Sequence, residues 1–328
     1  MRLAVIGATG MLGQQTLRAA LAAGHSGIAI YRSADSLRRL AGLDVESRHA
    51  DLSDAMSLRA ALVGIDAVVN AAAYYPTAPR PWRAEVATAT AQMAGFYRAA
   101  AEAGVRRIVY LGGAIALPKR ADGRPADGSE RYAAQPANRN PYLQVKWALD
   151  EQALQQAAQG LPVCIGIPSM TFGEYDHGPT TGQLLVGIAS GRLRQYVEGQ
   201  RNVVYGGDAG RGLVRVAESG EAGQRYLVTG VNTDMRELTT LMARLAGRPA
   251  PRVASLALAK TVSGVQKLRY RYFGGPLPTI SDTAIAVMSA GQHLDGTRSE
   301  RLLGYRPSVD LEQTVARSLA WFRENGYC

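Results

Sequence analysis

The sequence is poor in the residues that form disulfides, bind metals or cross membranes. Among 328 residues there are two cysteines and four histidines, and the histidines show no metal-ligand spacing. Neither a disulfide framework nor a metal site is therefore predicted. No apolar run approaches the ~18 residues that a membrane-spanning helix needs. The N-terminus already reads as a core strand, so we expect no signal peptide and a cytoplasmic protein with free thiols.

Lysine is also scarce, and the net charge of +10 rests on arginine. The arginines are scattered, whereas a nucleic-acid-binding protein presents a basic stripe interleaved with aromatic residues. The nearest candidate is the segment 260–272 (KTVSGVQKLRYRY). For this segment we favour a solvated helix face or loop at the rim of a pocket over a nucleic-acid or lipid surface. We expect a small-molecule substrate, no nucleic acid and no membrane span, and a homodimer stays open.

The first half of the sequence alternates short apolar runs with helical stretches. This rhythm predicts a doubly wound parallel sheet covered by helices on both faces, an α/β fold of the Rossmann type. Ligands of such sheets bind beyond the carboxyl ends of the strands. The predicted strands are residues 2–6, 28–31, 45–49, 65–70, 107–111 and 162–167, and the clearest helices are residues 14–23, 85–103 and 141–159.

After Pro168 glycine and proline become more frequent, and the strand signals weaken. We therefore predict a dinucleotide-binding domain at residues 1–168. Residues 169–328 are predicted to form mainly a smaller C-terminal α/β cap that supplies the substrate pocket. For segments around 203–220, assignment to the first domain rather than to the cap stays open.

A glycine-rich turn lies between the first predicted strand and the first predicted helix, and it reads GATGMLG. In such a turn Gly7 allows the tight bend, Gly10 lets the backbone approach phosphates, and Gly13 lets the helix pack on the strand. The helix N-terminus then offers N–H groups to an anion. The alternative is a strand–helix turn without a ligand. The residues predicted to contact the cofactor here are Gly7, Thr9, Gly10, Met11, Leu12 and Gly13.

Tyr142 and Lys146 stand four residues apart in YLQVK, at the start of a predicted helix. This spacing places both side chains on one helix face. An ammonium beside a phenol stabilises the phenolate, and such a tyrosine can exchange a proton with a carbonyl or alcohol oxygen. The alternative is a chance surface pair, which the position after the fifth strand and its loop argues against.

Together the glycine turn, Asp51-Leu52, the NAAA run at 70–73 and Tyr142-x-x-x-Lys146 resemble the extended short-chain dehydrogenase/reductases. The branch they resemble most is the NAD(P)-dependent epimerase/dehydratase and dihydroflavonol-reductase-like group. The resemblance implies that Asp51 and Leu52 flank the adenine, that Tyr142 donates or accepts the proton, and that Lys146 holds the nicotinamide ribose. For Asp51 alone, a helix cap is the alternative. The resemblance further implies cofactor contacts for Asn70, Ala71, Ala72, Ala73 and Pro168.

The preferred cofactor follows from charge at the end of the second strand. A carboxylate there would bind the ribose 2′-hydroxyl of NAD and repel the 2′-phosphate of NADP. The sequence has Tyr31-Arg32-Ser33 and no acid. The guanidinium of Arg32 matches a phosphate, so we predict NADP in preference to NAD. The alternative for Arg32 is a solvated side chain just past a strand.

Three positions depart from the family pattern or complicate it. Gly113 replaces the serine or threonine that usually hydrogen-bonds the reacting oxygen. Met170 stands where sugar-nucleotide epimerases often carry an asparagine, whereas Arg201 keeps an arginine that can meet a diphosphate. The predicted substrate-contacting residues are Tyr75, Gly113, Ser169, Thr171 and Arg201.

The first functional hypothesis is an NADP-dependent oxidoreductase that reduces a ketone or aldehyde, or oxidises the alcohol. The second is a sugar-nucleotide epimerase or dehydratase that oxidises and re-reduces its substrate on a tightly held cofactor. The third is a sensor that binds NADP without turnover. Gly113 favours the sensor, and the pair Tyr142 and Lys146 counts against it.

Overall fold

The computed structural model describes residues 1–72, 74–76, 80–274 and 281–328. Its strands are β1 (Arg2–Ile6), β2 (Ser26–Tyr31), β3 (Glu46–His49), β4 (Ala67–Asn70), β5 (Arg107–Leu111), β6 (Val163–Pro168), β7 (Met170–Phe172), β8 (Gln195–Val197), β9 (Gln200–Tyr205), β10 (Arg225–Val228), β11 (Val231–Asp234) and β12 (Arg252–Ala254).

The helices alternate with these strands, and two short 3-10 helices span Ala34–Leu40 and Ala114–Ala116. The α-helices are α1 (Met11–Ala22), α2 (Ala55–Leu62), α3 (Trp82–Glu102), α4 (Pro141–Ala158), α5 (Gln183–Ala189), α6 (Gly206–Ser219), α7 (Met235–Ala246), α8 (Leu256–Phe273), α9 (Asp282–Ala290), α10 (Thr297–Leu303) and α11 (Leu311–Glu324).

Seven strands form one parallel sheet in the order β10-β6-β5-β4-β1-β2-β3. The predicted doubly wound parallel sheet is thereby confirmed. The strand order reverses next to β1, because β2 and β4 lie on its two sides. Ligands of such sheets bind outside the carboxyl ends of the strands at this reversal. The fold therefore directs attention to the loops that follow β1 and β4.

The central strands are apolar throughout because helices cover both faces of the sheet. In β1, Ala4 and Ile6 join the core beneath α2, α3 and α4, whereas Leu3 and Val5 join the core beneath α1 and α6. All four side chains are buried. This is why the sequence shows a continuous apolar run there rather than an alternation.

A smaller unit lies beyond the large sheet and has a core of its own. It contains the three-stranded sheet β11-β9-β7 and the two-stranded sheet β12-β8. Its core includes Phe172, Leu238, Met242, Val315 and Phe322. The predicted smaller C-terminal α/β unit is therefore present.

Two segments after residue 168 pack with the large sheet rather than with the smaller unit. Helix α6 lies against α1, and β10 pairs in parallel with β6. The segment 203–220, which the sequence left open, thus has its helix on the large sheet, and β10 extends this return to residue 228. The domain division at residue 168 stays a prediction.

Candidate functional site

The glycine turn after β1 has the geometry that its spacing predicted. Gly7 has φ +77°, a conformation that other residues rarely adopt, and a Cβ there would lie 2.9 Å from the backbone N of Ala72. A Cβ at Gly13 would lie 2.2 Å from the carbonyl oxygen of Gly7, so only glycine lets α1 approach the turn this closely. A Cβ at Gly10 would meet nothing closer than 3.5 Å. Gly10 is therefore not demanded by packing within the chain.

Helix α1 begins at Met11, directly after this turn. Gly10 is the N-cap residue, no side chain in the described structure caps the helix, and its first turn carries no acidic residue. A helix end of this kind attracts an anion through its N–H groups and its partial positive charge. The turn around Gly7, Thr9, Met11 and Leu12 thus fits a pyrophosphate.

The loop after β4 lies against the glycine turn. Asn70 is buried, its amide contacts the sulfur of Met93, and its Oδ1 accepts a hydrogen bond of 3.1 Å from the N–H of Ala72. The N–H of Ala71 bonds to the carbonyl of Ile6. Asn70 therefore holds the loop in place, and Ala71 and Ala72 present backbone to the turn. Ala73 lies outside the described residues.

Asp51 and Leu52 follow β3 at the same edge of the sheet. The carboxylate of Asp51 accepts hydrogen bonds from the N–H and the hydroxyl of Ser53, and these bonds hold the pKa of Asp51 below its usual range. The N-cap of α2 is Asp54, which accepts from the N–H groups of Met56 and Ser57. The helix-cap alternative for Asp51 is therefore wrong, since Asp51 shapes the turn before the cap.

A small cavity of about 10 Å³ brings together residues from four predicted segments. Leu52, Ala72, Tyr110 and Lys146 all line it. A volume of this size is near the lower limit for a single water molecule. The predicted adenine, loop and catalytic segments thus converge at the carboxyl ends of the strands.

Helix α4 positions Tyr142 and Lys146. Asn140 caps it by accepting from the N–H groups of Tyr142 and Leu143, and Pro141 fits the first turn because its missing N–H needs no partner there. Tyr142 and Lys146 are 8% and 4% exposed. The Nζ of Lys146 lies 5.8 Å from the ring centroid of Tyr75, which stacks on Tyr142. The chance-surface-pair alternative is therefore wrong.

Burial dominates the acid–base properties of this pair. Burial raises the pKa of Tyr142 well above its usual value, and the neighbouring Tyr75 raises it further. Burial also lowers the pKa of Lys146 to about 8, although the nearby carboxylate of Asp150 acts in the opposite direction. We expected the ammonium of Lys146 to lower the pKa of Tyr142, but burial and the neighbouring tyrosines determine the shift, and it is upward. The phenol is consequently neutral at pH 7.

Gly113 lies beside Lys146 at the end of β5. A Cβ at position 113 would lie 3.6 Å from Cδ and 3.7 Å from Cε of Lys146, which is ordinary contact. The backbone there is extended, with φ −151° and ψ 137°. A serine would therefore fit at this position without strain, and the glycine is not required by the fold.

Pro168, Ser169 and Thr171 lie at and just after the end of β6, the strand beside β5. Pro168 ends β6, Ser169 and Thr171 are buried, and the hydroxyl of Thr171 donates to the carbonyl of Ser169. The Oγ of Ser169 is buried without a hydrogen-bond partner among the described residues. Such a group costs free energy unless a ligand or water satisfies it.

Arg201 in β9 is 6% exposed and sits among backbone groups. Its Nη1 donates to the carbonyl of Gln200 at 2.6 Å, and its Nε has no partner in the part of the chain that is described. Burial lowers the pKa of the guanidinium. A buried guanidinium of this kind suits an anion.

Arg32 follows β2 directly and is exposed, while the imidazole of His49 contacts its carbonyl oxygen at 3.0 Å. Its charge helps to lower the pKa of Asp51 across the sheet edge. Arg32 thus lies directly after the second strand, as the sequence predicted.

Two buried acids escaped the sequence reasoning. Asp150 is 1% exposed, and its Oδ2 accepts from the Nε of Arg225 at 2.9 Å and also from the Nη2 of Arg225. Asp150 follows Lys146 by four residues in α4, so the same spacing argument that linked Tyr142 to Lys146 would have found it. Glu85 accepts a hydrogen bond from Tyr74. Tyr74 lies on the loop after β4, and no regular sequence spacing predicts its contact with a helix residue.

A larger groove of about 470 Å³ lies away from these residues, between α7 and α11. Its charged residues already have partners, because Arg236 pairs with Glu198 at 2.7 Å and Arg244 with Glu312 at 2.9 Å. We therefore place the candidate site at the carboxyl ends of the parallel strands. Within the described ranges, no group of three His, Cys, Asp or Glu residues is arranged to hold a metal, and no helix is long and apolar enough to cross a bilayer.

The chain resembles known proteins in both sequence and fold. The sequence model of the NAD dependent epimerase/dehydratase family matches residues 3–229. A crystal structure of a nucleoside-diphosphate-sugar epimerase from Pseudomonas aeruginosa superposes with a TM-score of 0.87 at 41% identity, covering 100% of this chain and 99% of that one.

Two curated proteins are also similar. "Sterol demethylase protein B" from Methylococcus capsulatus is 30% identical over 98% of both chains. A 4-hydroxy-2-methyl-3-oxo-4-farnesyl-3,4-dihydroquinoline-1-oxide ketoreductase from Stigmatella aurantiaca is 28% identical over 75% of this chain and 74% of that protein.

Proposed function

Because the chain belongs to the NAD-dependent epimerase/dehydratase family, we propose that it is an NADP-dependent oxidoreductase that reduces the carbonyl group of a small-molecule substrate or oxidises the corresponding alcohol. The observation that carries the proposal is the burial of Tyr142 and Lys146 side by side on α4, next to Gly113 at the end of β5. The ketoreductase among the similar proteins supports the same chemistry.

Tyr142 is proposed as the proton donor to the carbonyl oxygen. Its raised pKa keeps the phenol protonated at neutral pH, and a general acid must carry its proton before the reaction. Lys146, with a pKa of about 8, is still mostly a cation at pH 7. Its positive charge stabilises the phenolate that forms when Tyr142 donates its proton.

The glycine turn and the N-terminus of α1 are proposed to hold the cofactor pyrophosphate, with Asp51 and Leu52 near the adenine and Pro168 behind the nicotinamide. When bound, the cofactor supplies or accepts the hydride. Arg32 is proposed to bind the 2′-phosphate of NADP, because its guanidinium is exposed directly after β2 and the end of that strand carries no acidic residue. The carboxylate on which Arg32 acts is that of Asp51 after β3, whose pKa Arg32 helps to lower. Residues 169 onward are proposed to supply most of the substrate pocket.

A nucleoside-diphosphate-sugar epimerase or dehydratase is the second candidate. The buried guanidinium of Arg201 lacks a carboxylate among the described residues and could meet a diphosphate. The similarity to the Pseudomonas aeruginosa epimerase structure supports this candidate equally. Met170 stands against it. The third candidate, a sensor that binds NADP without turnover, rests on Gly113 alone.

Cofactor behaviour separates the three candidates. Purified protein is mixed with NADPH and a panel of ketones and aldehydes, and absorbance at the nicotinamide band is followed. Net consumption supports the reductase. A cofactor that co-purifies and is not consumed, with interconversion of a nucleoside-diphosphate sugar, supports the epimerase. Exchangeable binding of NADPH without turnover of a carbonyl compound or a nucleoside-diphosphate sugar supports the sensor. That result contradicts the proposal.

A further inference from the structure

Helix α8 turns an apolar face away from the protein. Ala259 and Ser263 are buried on its inner side. On the outer side Val262, Val265, Leu268, Tyr272 and Phe273 are 37%, 63%, 59%, 66% and 85% exposed. At 100° per residue these five side chains fall on one side of the helix. We call them the α8 face.

The α8 face lies within a strongly basic part of the chain. Residues 238–281 contain no aspartate or glutamate. The same stretch contains seven basic residues, which are Arg244, Arg248, Arg252, Lys260, Lys267, Arg269 and Arg271. Lys260, Arg269 and Arg271 are exposed on α8 itself. At 100° per residue Arg269 falls within the α8 face, and Lys260 and Arg271 fall beyond one edge of it. Apolar and basic side chains together on one helix are typical of helices that lie in a membrane interface.

The charge of the α8 face distinguishes three possible binding partners, which are a second copy of the chain, a nucleic acid and a lipid bilayer. A second copy related by two-fold symmetry would bring the same basic side chains together, and like charges across an interface are unfavourable. A nucleic acid would match the cations but would leave Val265 and Leu268 against phosphates. A bilayer with anionic headgroups satisfies both the apolar stripe and the cations, and Tyr272 and Phe273 provide aromatic rings for the interface.

We propose that the α8 face docks reversibly on the surface of an anionic lipid bilayer, which replaces the expectation from the sequence that residues 260–272 form a solvated helix face or loop at the rim of a pocket. The helix lies in the plane of the interface, with Val265 and Leu268 entering the boundary between headgroups and acyl chains. The exposed basic side chains contact the headgroups. This binding is peripheral and does not depend on the catalytic role proposed for Tyr142.

The test is sedimentation of the full chain with phosphatidylcholine vesicles that contain or lack phosphatidylglycerol. We expect binding to the anionic vesicles, weaker binding to pure phosphatidylcholine, and loss of binding as salt rises to about 0.5 M. The variant Phe273→Trp should show a blue shift of tryptophan emission with anionic vesicles beyond that of the wild type. Absence of binding to anionic vesicles at low salt overturns the proposal.

Two variants and matched controls make the test specific. Val265→Asp/Leu268→Asp should lower vesicle affinity by about tenfold or more, and Arg269→Glu/Arg271→Glu by at least about 25-fold, since each lost cation is worth about fivefold. The controls Met56→Asp and Arg59→Glu on α2 make single substitutions of the same kinds at exposed positions elsewhere, where Arg59 pairs with Glu102 at 3.4 Å.

Equal losses in the controls and the α8 variants overturn the proposal. So does a dimer in analytical ultracentrifugation that Val265→Asp/Leu268→Asp abolishes while vesicles are not bound. Circular dichroism melting checks that each variant is folded.

Discussion

The ring of Tyr75 stacks on the ring of Tyr142, with centroids 5.4 Å apart and planes inclined by 18°. Tyr75 lies on the loop after β4 and is 41% exposed, whereas Tyr142 is 8% exposed. Tyr75 therefore shields the phenol from solvent, and it also raises the pKa of Tyr142. Burial is the main cause of the raised pKa of Tyr142, and Tyr75 on this loop adds to it.

We predict that Tyr142→Phe lowers kcat by ~10²–10⁴-fold, the usual worth of a general acid, while the dissociation constant for the cofactor changes little. Steady-state kinetics and calorimetric titration measure the two effects. The control is Tyr97→Phe, which removes a buried hydroxyl that lacks a partner among the described residues and should leave kcat unchanged. Full activity in Tyr142→Phe would contradict the mechanism.

The large sheet was predictable because its signals are local. Five of the first six strands are apolar runs next to a turn or helix, and periodicity finds such runs. The exception is β3, whose residues ESRH are polar and mostly exposed. The seventh strand, β10, has only four residues (RYLV) and follows a helix in the region where the rhythm weakens. Its place beside β6 depends on the packing of α6 against α1, which no local pattern records.

The candidate site likewise has features that short spacings in the sequence predict and features that depend on contacts between distant residues. Gly7, Gly13 and the Tyr142–Lys146 pair follow from short spacings. The structure places Gly7 against Ala72, and Ala72 and Lys146 line one small cavity. The stacking of Tyr75 and the pairing of Asp150 with Arg225 join residues that are 67 and 75 positions apart. Likewise the pKa of Tyr142 follows from burial, which the sequence does not specify residue by residue.

We predict that Lys146→Met abolishes turnover yet stabilises the fold at neutral pH. Burial lowers the pKa of Lys146 from 10.5 to about 8. Below pH 8 both the folded and unfolded chains hold the proton, and the full cost of the buried cation is present. Between pH 8 and 10.5 the folded chain has released the proton and the cost fades with rising pH. The gain should be ~3 kcal/mol at pH 7 and ~1 kcal/mol at pH 9.5.

Urea unfolding of both proteins at the two pH values measures this gain. The matched control is Lys119→Met, since Lys119 is exposed and its loss should change the free energy of unfolding little at either pH. A destabilisation by Lys146→Met that is equal at both pH values would show that the ammonium is not strained by burial.

We predict that NADP binds more tightly than NAD, and that Arg32→Glu reverses this order. A charge-assisted hydrogen bond to the 2′-phosphate is worth ~1.5–3 kcal/mol, and the glutamate would repel the phosphate and accept from the 2′-hydroxyl of NAD. Calorimetric titration with both cofactors measures the preference. Arg59→Glu, which changes an exposed arginine on α2, should keep the wild-type order. Equal affinities in the wild type would refute the assignment of Arg32.

The last prediction concerns how the site works without a serine or threonine at Gly113. Removing one hydrogen-bond donor to a developing oxyanion costs ~10²–10³-fold in rate, so a second donor should come from elsewhere. The hydroxyl of Tyr74 already donates to Glu85, and that of Thr171 donates to the carbonyl of Ser169. The Oγ of Ser169 is buried without a partner among the described residues. We therefore expect Ser169→Ala to lower kcat by ~10²-fold and Thr171→Val to lower it much less.

Gly113→Ser completes this test, because a serine fits beside Lys146 with its Cβ 3.6 Å from Cδ. If Ser169 already supplies the donor, the new hydroxyl is redundant, and kcat should change by less than about threefold. Gly113→Ala adds the same Cβ without the hydroxyl, so it separates crowding of Lys146 from hydrogen bonding. A rate that rises tens-fold in Gly113→Ser but not in Gly113→Ala would mean that the native site lacks a second donor. In that case Ser169 is not the replacement, and the wild-type protein works with Tyr142 alone.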